Sequence, residues 1–322
     1  MAPPGQAATR LEVDGASAAT DSFALPALYR ALAETDWRAP WFAPHAEQVA
    51  SWLAHPASRF VDLLDQLNRA AGAAGLRGGG GHALRFVPQA ELPPGTAYEA
   101  HIAASGAVPT RANLHDIFNA LSWFAWPRAK AAMNAAQGAA LRAAGVSGRR
   151  GGLRDALTLL DENGAVFACA DARLGAALRA HDWHTLFVAA RAEWGRTCAL
   201  LPLGHALLEK WRAPYKAMTA HAVILPIAPI AWRQDEASRR ACLDEALATA
   251  LDSGAFARAR PFAPLPVCGV PGWWAANADP AFYADAAVFR PCRATLGPRK
   301  VGWTVAAAPG AGEESPDSDR AG

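Results

Sequence analysis

This chain has no pair of cysteines placed to share a bond or a metal. Its five cysteines (Cys169, Cys198, Cys242, Cys268 and Cys292) are odd in number, far apart and never in C-x-x-C. That excludes a disulfide framework and a thiolate zinc site, and it fits a reducing cytoplasm. Long apolar runs are also missing. The longest, "AHAVILPIAPIAW" at 220–232, is too short and too broken by proline to cross a bilayer, and "MAPPGQAATRLEVDGAS" has no apolar signal-peptide core. Charge of one sign is nowhere concentrated. The net charge is +2, and the basic residues gather only briefly, at Arg149-Arg150 and Arg239-Arg240, so the stripe of a nucleic-acid binder is absent. These absences lead us to expect a soluble cytoplasmic protein with no nucleic-acid or membrane partner, its oligomeric state left open.

Signatures of familiar chemistry are equally scarce. There is no G-x-S-x-G, and "GGGGH" at 78–82 lacks the Lys-Ser/Thr of a phosphate loop, so it reads as a flexible loop. "HDWH" at 181–184 has no accompanying nucleophile, and its Trp183 reads as a buried anchor.

What is present is helical periodicity. In "SRFVDLLDQLNRAAG" Phe60, Leu63, Leu64 and Leu67 recur at one-turn spacing behind a Ser58 cap. "DEASRRACLDEALATALDSG" carries the stripe Leu243, Ala246, Leu247, Ala250 and Leu251 between an Asp235 cap and a Gly254 stop. Strand signals are "ALRFV", "ALTLL", "AVFAC" and "AVILPI"; Asp161-Glu162-Asn163-Gly164 reads as the turn of a hairpin joining the middle two. The expected class is α+β, a predominantly helical single domain with a small sheet that includes this β-hairpin. It spans 22–307, with an extended aromatic and proline-rich arm over 261–303. Residues 1–21 and the acidic 308–322 have too little apolar surface to offset chain entropy and are expected to be disordered.

Candidate chemistry gathers in three stretches. In "PTRANLHDIFNALSWFAWPRAK", Asn113 suits a helix N-cap with Asp116 in the first turn, and Leu114, Ile117, Phe118, Leu121 and Phe124 form the apolar stripe. His115, Asn119, Ser122 and Trp126 follow a neighbouring face, and Pro127 starts a second helix carrying Lys130 and Asn134. In "LPLGHALLEKWRAPYKAMTAH", His205 and Glu209 share a helical face and His221 follows the Pro214 break. With His115 these histidines and Glu209 have the chemistry to hold zinc or another divalent metal, although no diagnostic spacing assigns one. In "GRRGGLRDALTLL", Arg150, Arg154 and Asp155 stand where an anionic substrate group can be clamped by guanidinium donors.

The motifs "VPTRANLHDIFNALSWFAWPRAKAAMNAAQ", "LRDALTLLDENGA", "LGHALLEK", "TAH" and "LPVCGVPGWWAANADPAFYADAAVFRP" occur in one order, and together they resemble a bacterial family known as domain of unknown function 3025. The resemblance spans roughly 25 to 303. It implies one family domain whose motif set includes the His115, Asp155, His205 and His221 stretches; it implies no reaction, and it makes the Gly79–Gly81 run a local elaboration. The residues themselves suggest an enzyme acting on a small polar or anionic substrate, with hydrolysis as the favoured class. His115, Asn119, Asp155, His205, Glu209 and His221 are its catalytic candidates, and Arg150, Arg154, Trp126 and Lys130 its substrate-binding candidates. The competing reading is a non-catalytic ligand-binding or protein-interaction domain.

Overall fold

A computed structural model of the protein describes residues 24–144, 151–258 and 261–292. The segments 1–21 and 308–322, and Arg150, lie outside the described residues.

Strand β3 (Gly164–Cys169) organises the centre, and all six of its residues are buried. Its alternate side chains feed two cores: Ala165, Phe167 and Cys169 face one, Val166 and Ala168 the other. A strand covered on both faces reads as a continuous apolar run, as "AVFAC" does. β3 lies between β4 (Cys198–Pro202), antiparallel, and β5 (Thr219–Pro226), parallel; β6 (Phe262–Pro266) closes the order β4-β3-β5-β6. Pro264 and Pro266 are tolerated in β6 because an edge strand has amides to spare. A second sheet is the short parallel pair β1 (Arg85–Pro88) and β2 (Ala107–Thr110).

Helices make up most of the rest. α1 covers 24–33, followed by α2 (Ala46–Ala54), α3 (Phe60–Ala73), α4 (Tyr98–Ser105), α5 (Leu114–Ala125), α6 (Pro127–Ala144), α7 (Gly152–Asn163), α8 (Ala172–Ala180), α9 (His205–Lys210), α10 (Glu236–Asp252) and α11 (Ala255–Arg258). The protein is a predominantly helical α+β domain. α6, α7 and α10 contribute to the core on one face of the sheet; α8, the Trp183–Phe187 aromatics and the N-terminal helices contribute to the other.

The sequence stripes of α3 and α10 face the core, with Ala246 of α10 only partly buried, and Asp235 caps α10 by accepting from the Ser238 amide at 2.8 Å. α3 is capped one residue later than expected, by Arg59 with Asp62 rather than by Ser58. Pro127 opens α6, and the amides of Arg128 and Ala129 donate to the buried Asp244 carboxylate of α10 at 2.9 and 2.8 Å, a cap supplied from another helix.

Two expectations fail. "ALTLL" is helical, part of α7, and Asp161-Glu162-Asn163 is its last turn, so the hairpin does not exist. Leu153, Leu157 and Leu160 have one-turn spacing, and that period outweighs the turn-like composition of Asp-Glu-Asn-Gly. Gly164 accordingly has an ordinary φ of −80°, and its lack of a side chain serves close packing: a Cβ there stands 2.2 Å from the Leu160 carbonyl oxygen. Nor is the glycine run the flexible loop its composition suggests. A Cβ on Gly79 meets the Ala135 amide nitrogen at 2.2 Å, and one on Gly80 meets the Ala103 carbonyl oxygen at 2.0 Å, so the run packs its backbone against α6 and α4.

The proline-rich arm begins as β6 and continues through short 3-10 turns. Its Tyr283 and Phe289 pack on Phe187, and buried Asn277 donates to the carbonyls of Cys268 and Val270 at 2.9 and 2.7 Å. The described part of the arm, 261–292, packs on the core and contributes no residue to the walls of the site described below.

Candidate functional site

The polar face of α5 explains how the site is assembled. Asn113 caps the helix, accepting from the Asp116 amide at 2.8 Å, while Asp116 binds back to Arg111, taking its amide at 2.7 Å and its guanidinium at 3.0 Å. Further along that face, Ser122 Oγ donates to the Leu203 carbonyl at 2.8 Å and the Trp126 indole donates to that of Pro202 at 2.7 Å. These two bonds fasten α5 to the end of β4, and α9 begins immediately afterwards with His205. Gly204 makes the junction tight: a Cβ on it lies 2.5 Å from the Gly164 amide nitrogen and 2.6 Å from the Glu162 carbonyl. The end of α7 and the start of α9 therefore meet almost backbone to backbone.

The result is a cluster at one end of the β3–β4 pair. His115 Nε2 and His205 Nε2 are 3.1 Å apart, with their rings at 74°. Behind His115, Glu209 Oε2 lies 3.4 Å from Nδ1; behind His205, Asp161 Oδ2 lies 3.7 Å from Nδ1. Glu162 Oε2 stands 3.6 Å from His205 Nε2. His115, Glu162 and His205 each present a ligand atom within 4.8 Å of the other two, the set best placed among the described residues to hold a metal ion.

A buried polar network supports the cluster. The Lys130 ammonium forms a short ion pair with Asp161 and donates to Asn119 Oδ1 at 2.9 Å; Asn119 Nδ2 donates to the Tyr98 hydroxyl at 3.0 Å. Deeper in, Asn134 donates to Glu99 Oε2 at 2.7 Å and accepts from the Gly79 amide at 2.9 Å, which ties the glycine run to the site wall. Burial opposes charge throughout. It holds His205 down to about 4, although the Asp161 carboxylate pulls the other way. It pushes Glu99 up to about 7, with Asp161 adding repulsion, and raises Glu162 by the same two causes. Asp161 is desolvated as well, but Lys130, and after it His205, hold its carboxyl below the usual range. Desolvation lifts the Tyr98 phenol well above its ordinary value, so it remains a hydrogen-bond donor.

The cluster opens into a cavity of about 470 Å³ whose walls include Tyr98, Glu99, Asn119, Arg154 and Thr158. Its charge is mixed. Arg111 faces it already bound to Asp116, whereas Arg154 has no carboxylate in ion-pair range among the described residues.

The expected residues divide accordingly. His115, Asn119, His205 and Arg154 line the cavity, and Glu209 backs His115. Asp155 is exposed at the start of α7, away from the cavity. His221 lies on β5 with its ring against Phe262, centroids 6.1 Å apart, and does not join the other imidazoles. Trp126 is buried and tethers α5 instead of facing a ligand. Lys130 is buried and neutralises Asp161, so it does not reach the cavity wall. Tyr98, Glu99, Asp161 and Glu162 were not singled out as site residues. Arg154, Thr158, Asp161 and Glu162 recur at i, i+4, i+7 and i+8, a polar helical face that becomes visible once 152–163 is read as helix.

No curated protein and no solved structure matches the chain. A family model described as "Protein of unknown function (DUF3025)" matches residues 84–293, well over half of the chain and the whole of the cluster. The chain belongs to the DUF3025 family.

Proposed function

We propose that the cavity floored by His115 and His205 is the active site of an enzyme that hydrolyses a small polar or anionic molecule. One observation carries this reading. Two imidazoles from α5 and α9 touch, each has a carboxylate behind it, and together they face a cavity of about 470 Å³, a volume suited to a small metabolite. Hydrolysis needs a held water, a proton acceptor, and donors for the charge that develops on the substrate. His115 is the more exposed imidazole and has Glu209 behind it to balance the charge it gains, which suits it to accept the proton. The water oxygen then bonds to the acyl or phosphoryl centre, the bond to the leaving group breaks, and the proton passes from the imidazole to that group. Tyr98, still protonated, and Arg154 supply donors for the substrate's negative charge.

A panel of small carboxylic esters, amides and phosphate monoesters tests the reading. Turnover of one class is expected, falling at least about 100-fold in His115→Ala with the fold intact. Binding without turnover of any class supports the competing ligand-binding role, and turnover unchanged in His115→Ala rejects the catalytic assignment.

A further inference from the structure

We infer that His115 Nε2, His205 Nε2 and Glu162 form a binding site for one divalent first-row transition metal ion, open on the cavity side. The inference uses the cavity assigned above as an active site but does not depend on its reaction being hydrolysis.

Two neutral imidazoles with Nε2 atoms 3.1 Å apart must share one N–H between them. The ring that donates this proton carries a bare lone pair on Nδ1. That lone pair faces Glu209 if the donor is His115, or Asp161 if it is His205. Either choice sets an electron pair against an anion. One positive charge between the two Nε2 atoms removes the conflict, because both Nδ1 atoms then carry hydrogen, with a carboxylate oxygen 3.4 Å from that of His115 and 3.7 Å, beyond hydrogen-bond reach, from that of His205. That charge is either a proton or a metal ion.

Glu162 separates the two. A proton held between two nitrogens meets its carboxylate only through space, 3.6 Å from His205 Nε2, whereas a metal ion can be bonded by all three groups. The spacing also fits. Two nitrogens bound to one zinc ion at about 2.0–2.1 Å lie roughly 3 Å apart. The carboxylates behind the imidazoles repeat the arrangement by which metal-binding histidines are oriented and made more basic. Two imidazoles with one carboxylate favour zinc, iron or manganese over calcium or magnesium, which prefer all-oxygen shells. Glu162 is half-buried and borders the cavity, so water or substrate has access to the remaining coordination positions. An ion held there takes over from the imidazole as the group that makes water nucleophilic.

The test uses the full chain without a histidine tag, stripped with chelator and titrated calorimetrically with Zn²⁺, Mn²⁺, Fe²⁺ under anaerobic conditions, and Ca²⁺. Cobalt(II) substitution reports coordination by its visible spectrum. One transition-metal ion per chain is expected, with negligible response to Ca²⁺. Glu162→Gln and His115→Ala, both at partly exposed positions, should lower affinity at least tenfold and alter the cobalt spectrum. Glu209→Gln, which touches no ion, should cost about tenfold. Failure of every transition metal to bind stoichiometrically, or equal binding by wild type and His115→Ala, overturns the inference and leaves a shared proton between the imidazoles. The two readings fail separately: metal binding without hydrolysis removes only the hydrolytic role, and chelator-resistant hydrolysis by metal-free protein removes only the metal.

Discussion

Gly204 lies so close to Gly164 that a methyl group on Gly204 would stand 2.5 Å from the Gly164 amide nitrogen. The Gly164 carbonyl also accepts from the amides of Leu203 and Gly204, at 3.2 and 2.8 Å. This contact sets His205 at the head of α9 beside Glu162 at the foot of α7. Gly204→Ala is expected to destabilise the protein by about 1–3 kcal/mol, because the contacts are to backbone and cannot swing aside. It should also weaken ligand binding in the protein that remains folded. Urea denaturation with the wild-type midpoint would show that the junction has room to relax.

Lys130 and Asp161 are a buried ion pair with side-chain exposures of 5% and 13%. Removing one partner strands the other's charge away from water. Lys130→Met should cost about 3–5 kcal/mol. Lys130→Met combined with Asp161→Leu should recover much of that stability, since it is the unpaired charge that is costly. A single variant within about 1 kcal/mol of wild type, a loss typical of an exposed pair, contradicts this picture.

His45 makes stability depend on pH. Its ring is buried and its Nε2 has no hydrogen-bond partner among the described residues; burial, reinforced by Arg240, lowers its pKa to about 3. The unfolded chain takes up the proton near 6.5 and the folded chain resists until about 3. Between these values the unfolded state binds more protons, so this contribution to stability is whole above about 6.5 and is lost as pH falls toward 3. His45→Phe should therefore show a shallower fall in melting temperature across that interval. An identical pH profile in wild type and variant rules out His45 as the source.

The elements that were legible in the sequence are those whose local signals agree. α3 and α10 have regular apolar stripes, Asn113 caps α5, and Pro127 restarts the chain as α6. The second face of α5 was visible as a polar face with a tryptophan in it, and its meaning is now clear. Ser122 and Trp126 fasten the helix, and His115 and Asn119 face the cavity. α7 is obscured in the sequence because Leu159 and Leu160 complete an apolar run and Asp-Glu-Asn-Gly has the composition of a turn, which together hide the one-turn spacing of Leu153, Leu157 and Leu160. The meeting of His115 with a histidine 90 residues away is a property of packing that no single stretch encodes. The same holds for Lys130, whose burial depends on Asp161 arriving from another helix.

Whether His115 serves a ligand or the fold is decided by a paired thermal-shift measurement on wild type and His115→Ala. The side chain is 41% exposed, so the substitution should leave stability within about 0.5 kcal/mol. Zn²⁺, Mn²⁺ and small carboxylates and phosphates should be screened on both proteins; those that raise the wild-type melting temperature should raise that of the variant by much less at the same concentration. If His115→Ala instead costs about 1–3 kcal/mol, as loss of a structural hydrogen bond does, and ligands stabilise both proteins equally, the histidine pair belongs to the scaffold and not to a ligand site.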